Sequence, residues 1–159
     1  MGLVVQMPEG ERWTQEQDAV LKRLGATFKA IPVQTPPTAD SPVDALFVRD
    51  GIIVSVAEIK CRQFSLEKLR EHGSGLVTAK KLHEGIKLGA TLCVPYFVFF
   101  ALTDGTIASW HISDKHGFKK FAWHESHTPT RMTSVTDATV SRLNAFLPVE
   151  HMKVYRAHQ

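Results

Sequence analysis

The sequence reads VDALFVRDGIIVSVAEIK from Val43 to Lys60, and this stretch has the pattern of a β-hairpin. Its two halves, residues 43–48 and 52–60, are rich in the β-branched and aromatic side chains that favour strands. Arg-Asp-Gly separates them at positions 49–51, and a short loop that contains glycine is typical of a turn between antiparallel strands. We therefore predict two adjacent antiparallel strands.

The second half of this stretch ends in a charged pair on an otherwise apolar face. Successive side chains of a strand point to opposite faces, so one face would carry Ile52, Val54, Val56, Glu58 and Lys60. A charged pair in such a place is costly to bury unless a bound cation or phosphate compensates it. Glu58 and Lys60 are therefore candidate site residues.

The register of the hairpin decides whether a third charged residue joins this pair. With a three-residue loop that ends in a left-handed Gly51, Asp44 pairs with Val56 and shares a face with Glu58. Diagonal neighbours on one face lie about 7 to 8 Å apart, close enough for two carboxylates to bind one divalent cation. A two-residue loop would instead place Asp44 opposite Ala57, on the other face. We predict the three-residue loop.

Before the hairpin, the pattern predicts a helix from Trp13 to Leu24, because apolar residues recur there at near-helical spacing. Thr14 can cap its start and Gly25 can end it. An extended segment from Phe28 to Val33 follows. Four prolines then indicate a loop that leads into the hairpin: Pro32, Pro36, Pro37 and Pro42.

After the hairpin, apolar residues at helical intervals predict a second helix from Leu76 to Leu92. The almost wholly apolar run from Pro95 to Leu102 favours a buried central strand, and the Asp-Gly pair that follows it favours a turn into another strand from Thr106 to Ile112. The rest of the chain is mixed in pattern, and residues 136–146 fit either a helix or a strand.

Length and composition fit one soluble domain. The chain has 159 residues with 43% hydrophobic and 22% charged residues, as in an ordinary globular protein. We expect one domain over residues 1–159, with a core at about 13–112 and a C-terminal elaboration at about 113–159. No apolar run approaches the roughly 20 residues of a membrane span, and no signal-peptide layout is present. We expect a cytoplasmic or nucleoid-associated protein.

Charge and cysteine content add little but agree with this picture. The sequence has 19 Lys and Arg against 16 Asp and Glu, for a formal net charge of +3, and a mildly basic chain suits a polyanionic partner. Cys61 and Cys93 are too few for a disulfide framework and lack metal-ligand spacing. We interpret them as reduced structural thiols.

Asp44 on one strand and Glu58-Ile59-Lys60 on the next resemble the PD-(D/E)xK nuclease superfamily. The resemblance covers roughly Trp13 to Ile112 and implies an α/β fold with a restriction-endonuclease-like αβββαβ core, in which helices flank a central mixed sheet. In the run EIKCR at Glu58 to Arg62, the sequence looks most like archaeal Holliday-junction resolvases and small phage-type endonucleases.

The resemblance implies a role for each of these residues. Asp44, Glu58 and the backbone carbonyl of Ile59 would hold Mg²⁺ or Mn²⁺, which would polarise the scissile phosphate and lower the pKa of a bound water. Lys60 would position that water and offset charge in the transition state. The implied function is a magnesium-dependent DNA endonuclease of recombination, repair or phage DNA processing, with branched DNA as one candidate substrate.

Further positions follow from the same resemblance. Glu16 corresponds best to the acidic residue of the first helix, with Asp18 as the alternative. Lys80, Lys81 and Arg62 are candidate contacts to DNA phosphates, although a solvated helix face also accounts for the two lysines. Because resolvases act as dimers on junctions with two-fold symmetry, a homodimer is expected by analogy.

The sequence departs from the superfamily pattern in two places. The proline that names the motif normally precedes the aspartate directly, but Val43 stands there and the proline is Pro42. The glutamine-to-tyrosine motif of the exonuclease branch is missing from residues 76–92, where Lys80 and Lys81 stand instead. An endonuclease is therefore favoured over an exonuclease.

Three other classes of function compete with the nuclease. A zinc hydrolase would need metal-ligand spacing that is absent among His111, His116, His124 and His127. Acyl transfer would need a nucleophile elbow, which is absent around Ser65, Ser74 and Ser109. A non-catalytic nucleic-acid-binding or assembly module that keeps the fold is the main alternative.

Overall fold

The computed structural model describes residues 8–36, 41–131 and 139–156 of the chain. Its elements are α1 (Pro8–Phe28), β1 (Ile31–Gln34), β2 (Ala45–Arg49), β3 (Ile52–Cys61), α2 (Leu66–His72), β4 (Ser74–Thr78), α3 (Ala79–Leu92), β5 (Tyr96–Ala101), β6 (Ile107–Ser113), β7 (His124–Arg131), β8 (Thr139–Pro148), a 3₁₀ turn (Val149–His151) and β9 (Lys153–Tyr155).

A six-stranded mixed sheet forms the centre of the fold. Its strand order is β1-β2-β3-β5-β6-β9, in which β3 and β5 are parallel and the other pairs are antiparallel. Apolar side chains of α1 pack on one face of the sheet and those of α3 on the other. The predicted α/β class with a flanked mixed sheet is confirmed, and α2 and β4 are inserted into the αβββαβ order.

The first helix is longer than predicted at both ends. It begins at Pro8, which suits the first turn of a helix because it lacks an N–H, so the predicted cap at Thr14 was wrong. Gly25 does not end the helix. The helix continues to Phe28, and the residue that follows it, Lys29, adopts the left-handed conformation at φ 52°. Gly25 instead allows the chain after the helix to pass close to the helix backbone, because a Cβ at this position would lie 2.8 Å from the Ala30 carbonyl oxygen.

The second predicted helix begins too early. Residues 76–78 belong to β4, and the helix α3 starts at Ala79. Because β4 pairs with β8, about 70 positions later in the chain, the local apolar pattern cannot reveal it. The short helix α2, which the sequence analysis missed, is capped by Ser65, whose hydroxyl accepts a hydrogen bond from the Lys68 amide at 3.2 Å.

Close packing sets the position of α3 above the sheet. A Cβ on Gly85 would overlap the ring of Tyr96 on β5, and a Cβ on Gly89 would lie 2.8 Å from the Val94 carbonyl oxygen. Both glycines therefore let the helix backbone approach the sheet. At Gly89 the added Cβ would also lie 3.7 Å from a methyl group of Val56, so α3 packs directly on the middle of β3.

The predicted strands after α3 are confirmed. β5 and β6 follow each other as antiparallel neighbours, and most of their side chains are buried. In the C-terminal part, the ambiguous segment 136–146 contains the start of strand β8, and its residues 136–138 lie outside the described residues. β7 and β8 form a hairpin that pairs with β4 in a separate three-stranded sheet.

Candidate active site

The turn between β2 and β3 differs from the prediction. Arg49 pairs with Ile52, so the loop has two residues, and both Asp50 (φ 52°) and Gly51 (φ 76°) have the left-handed backbone that such loops prefer. The predicted three-residue loop was wrong. With a two-residue loop and an uninterrupted register, Asp44 would lie opposite Ala57 and on the other face of the sheet from Glu58.

A β-bulge restores the alignment of Asp44 with Glu58. The register shifts by one residue between Phe47 and Val48, and from there Phe47 pairs with Ser55 and Ala45 with Ala57. The extra residue in β3 is Val54, which packs with the α1-side core, whereas Ile53 packs with the α3-side core. The prediction that every second side chain from Ile52 to Lys60 lies on one face of the sheet is therefore correct only from Val56 onward.

The bulge brings Asp44 beside the end of β3. Its side-chain Oδ2 accepts a hydrogen bond from the Ile59 amide at 2.8 Å, and its own amide donates to the Ala57 carbonyl at 2.9 Å. In an extended strand the N–H and C=O of one residue point to the same edge. The Ile59 carbonyl therefore points towards the edge at which Asp44 lies, as the predicted ligand set requires.

The backbone of Asp44 is fixed by a residue that the sequence analysis missed. Thr35 donates its amide to the Asp44 carbonyl at 2.9 Å, and the Thr35 hydroxyl lies 2.8 Å from the Val43 carbonyl oxygen. Thr35 stands in the proline-rich loop, where no sequence pattern marks it. It helps to hold the candidate metal ligand in place without touching the site directly.

Glu58 is the buried member of the site. Its side chain is only 1% exposed, and the Lys60 ammonium lies 2.8 Å from Oε1. Within the described part of the chain, no well-oriented hydrogen bond reaches either carboxylate oxygen. Burial raises the pKa of Glu58, the nearby Asp44 carboxylate raises it further, and the Lys60 and Lys81 ammonium groups lower it.

Lys81 belongs to the site and Lys80 does not. Lys81 on α3 donates a hydrogen bond from Nζ to the Ser41 carbonyl at 2.9 Å, and its charge acts on Glu58. Lys80 points away, with its side chain 74% exposed and 3.8 Å from Glu84. The two lysines that the sequence analysis grouped together therefore have different surroundings.

Glu16 lies closer to the site than Asp18. Glu16 is half-buried and Asp18 is exposed. The Cys61 thiol at the end of β3 has a raised pKa, chiefly because of burial, and the Glu16 and Asp44 carboxylates add to the effect. Glu16 therefore acts electrostatically on the end of β3, and its assignment as the acidic residue of the first helix, with Asp18 as the alternative, stays a prediction.

Arg62 was predicted to contact DNA, but its contacts are internal. Its guanidinium donates a hydrogen bond to the Leu76 carbonyl at 2.5 Å and lies 4.8 Å from the centre of the Phe100 ring. Burial lowers the pKa of Arg62, and the Glu58 carboxylate opposes that shift. These contacts support a structural role at the junction of the two sheets, and a contact of Arg62 with DNA stays a prediction.

Histidines do not form a metal centre in the described residues. Over residues 8–36, 41–131 and 139–156, no group of three or more His, Cys, Asp or Glu side chains is arranged to hold a metal ion. The predicted ligand set has two carboxylates and a backbone carbonyl. His111, which was one of the histidines considered for zinc, stacks on Phe97 at a centroid distance of 4.6 Å instead.

Comparison with protein families identifies a matching family. The model of a family described as "Phage putative PDDEXK endonuclease" matches residues 9–117, which is well over half of the chain. The chain belongs to this family. The predicted membership of the PD-(D/E)xK nuclease superfamily is thereby confirmed, and a nuclease in general is supported.

The matched PD-(D/E)xK region contains the whole candidate site and ends before the β7–β8 hairpin. No curated protein and no solved structure matches the chain. Among the described helices, none is long and apolar enough to cross a membrane.

Proposed function

We propose that this PD-(D/E)xK protein is a metal-dependent DNA endonuclease that hydrolyses phosphodiester bonds at Asp44, Glu58 and Lys60. The observation that carries the proposal is the convergence of two carboxylates at one edge of the sheet. One is held by the Ile59 amide, and the other is buried with the Lys60 ammonium 2.8 Å from its Oε1.

The residues present fit a hard divalent cation. A buried carboxylate is stable only when charge or hydrogen bonds compensate it, and the oxygens of Glu58 are under-satisfied within the described residues. Asp44, Glu58 and the Ile59 carbonyl would hold Mg²⁺ or Mn²⁺, since oxygen ligands suit these ions. A cation bound there would polarise the scissile phosphate and make water more acidic.

Lys60 has two tasks in this proposal. In the protein alone its ammonium neutralises Glu58 at 2.8 Å. Its side chain is 34% exposed, so it reaches the surface at which a substrate would bind. With a cation bound to Glu58, the Lys60 ammonium would be available to the phosphate, where it would orient the attacking water and stabilise developing negative charge.

Two neighbouring residues complete the site. Glu16 would act from α1 as an additional acidic group, either as a ligand through water or as a proton acceptor. Lys81 is tied to the Ser41 carbonyl and would hold the loop before β2 close to α3. We propose that Lys81 positions the site and attracts the substrate backbone, whereas Lys80 acts outside the site.

The test is cleavage of DNA by the purified full chain. Linear, flapped and four-way DNA are incubated with Mg²⁺ or Mn²⁺, with EDTA as the control. The proposal expects cleavage that requires metal and falls by at least about a hundredfold in Asp44→Asn, which keeps an oxygen to accept the Ile59 hydrogen bond. Glu71→Gln, an exposed carboxylate on α2, is the matched control and should cleave normally.

The outcome also separates the alternatives. DNA binding that persists in EDTA and in Glu58→Gln, without cleavage of any substrate, would overturn the nuclease and support a non-catalytic module. A preference for four-way junctions would support recombination, and a preference for flaps would support repair or phage DNA processing. The homodimer stays a prediction by analogy, to be measured by light scattering with and without junction DNA.

A further inference from the structure

A basic cleft lies beside the candidate site, between the first turns of α3 and strand β8. Its volume is about 550 Å³, and the cationic side chains on its walls are Lys80, Lys81 and Arg142. Glu84 is the one carboxylate on those walls within the described residues. The cleft therefore carries an excess of positive charge on two different elements of the fold.

The contact between Lys80 and Glu84 is weak enough for the Lys80 ammonium to bind another anion. The two charged groups are 3.8 Å apart, and their side chains are 74% and 36% exposed. Exposed pairs of this kind contribute little because water screens them, and the order Lys before Glu along a helix is the weaker one. An approaching phosphate can therefore compete for the Lys80 ammonium.

Lys81 links the cleft to the candidate site. It lines the cleft, and its Nζ donates to the carbonyl of Ser41, three residues before Asp44, at 2.9 Å. Its charge also lowers the pKa of Glu58, so the same lysine borders the cleft and acts on the candidate site. A nucleic-acid strand that places a phosphate at Glu58 would run next along the cleft.

The second wall comes from a part of the chain outside the matched family region. That region ends at residue 117, whereas Arg142 lies on β8, which pairs with β4 over five residue pairs. On the other strand of the hairpin, Glu125 lies 2.8 Å from His83 Nε2 of α3. The hairpin is therefore fixed at two places, and Arg142 is held opposite the start of α3.

We propose that this cleft holds the sugar-phosphate backbone of the DNA substrate next to the scissile phosphate, with Lys80 and Arg142 as phosphate contacts. The proposal rests on the proposed nuclease function. Charge complementarity selects a polyanion, and continuity with Glu58 through Lys81 selects the substrate strand itself. In this chain the β7–β8 hairpin is then an added DNA-binding arm.

The test is the salt dependence of DNA binding by the full chain. Binding to a labelled duplex is measured by fluorescence anisotropy in the Asp44→Asn background, which prevents cleavage. Each phosphate contact that is lost lowers the slope of log K against log[salt] by about 0.9. Lys80→Gln and Arg142→Gln should each show this change, which makes binding about eightfold weaker at 0.1 M salt if affinities agree at 1 M.

A matched control on the same helix makes the result specific. Lys87 is exposed on α3 and is not part of the cleft walls described above, so Lys87→Gln should leave the slope unchanged. Unchanged slopes in Lys80→Gln and Arg142→Gln, with native circular dichroism, would overturn the proposal, as would an equal change in Lys87→Gln. Cleavage by the wild type decides the nuclease function independently of these slopes.

Discussion

Replacing Glu58 by glutamine should make the protein more stable and inactive. The substitution keeps the size of the side chain and removes its charge. Glu58 is 1% exposed. Burial raises its pKa and the Lys60 ammonium lowers it, and because the effect of burial is the larger, the pKa of Glu58 lies above its ordinary value of 4.5. Over an interval that begins near pH 4.5, the folded protein therefore retains a proton on Glu58 that the unfolded chain has lost.

The sign of the pH dependence follows from this difference. Because the folded state binds more protons in that interval, the free energy of unfolding of the wild type falls as the pH rises, by up to about 1.4 kcal/mol per pH unit for one group. The penalty is absent below pH 4.5 and complete above the raised pKa. Glu58→Gln has no such penalty. The difference in free energy of unfolding between Glu58→Gln and the wild type should therefore increase as the pH rises through this interval and stay constant at higher pH.

Urea unfolding followed by circular dichroism from about pH 4 to pH 8, without divalent ions, measures the effect. Glu71→Gln is the control, because the Glu71 side chain is 56% exposed and lies 3.4 Å from the Lys68 ammonium, away from the candidate site. Added Mg²⁺ should stabilise the wild type and not Glu58→Gln, since it binds only the folded site. A stability difference that is the same at every pH would refute the assignment of a buried, proton-retaining Glu58.

Three further predictions concern the surroundings of the site. Gly85→Ala should destabilise the protein by about 1 to 3 kcal/mol in urea, because the new methyl group overlaps the Tyr96 ring; an unchanged midpoint would contradict this packing. Lys60→Met should lower the cleavage rate at least about a hundredfold and move the acidic limb of the pH profile upward, since Lys60 lowers the pKa of Glu58; a rate within a few-fold of the wild type would refute its role. Arg62→Met should cost about 1 to 3 kcal/mol of stability and leave the salt slope of DNA binding unchanged, whereas a slope lowered by about 0.9 would restore Arg62 as a phosphate contact.

The site was predicted from local patterns, although one step of the prediction was wrong. Glu58 and Lys60 share a face because strand alternation holds from Val56 onward. Asp44 joins them through a two-residue turn and a bulge at Val54, and neither was predicted. A bulge depends on packing of the strand against both cores, which a pattern of apolar residues does not encode.

The elements that the sequence analysis missed fall into two kinds. The helix α2 had local markers, since Ser65 is a good cap and Gly73 takes the left-handed position at its end, φ 80°. Strand β4 had none, because its partner β8 lies far along the chain. The different surroundings of Lys80 and Lys81 were likewise hidden, because they depend on how α3 packs on the sheet.

A metal soak shows whether Asp44 and Glu58 bind a cation together. Crystals of the protein are soaked in Mn²⁺, and anomalous scattering locates the ion. We expect one strong peak between the carboxylates of Asp44 and Glu58, within coordination distance of the Ile59 carbonyl oxygen, and no such peak in crystals of Asp44→Asn. An empty site at Mn²⁺ concentrations that support DNA cleavage, or a peak confined to other residues, would contradict this expectation.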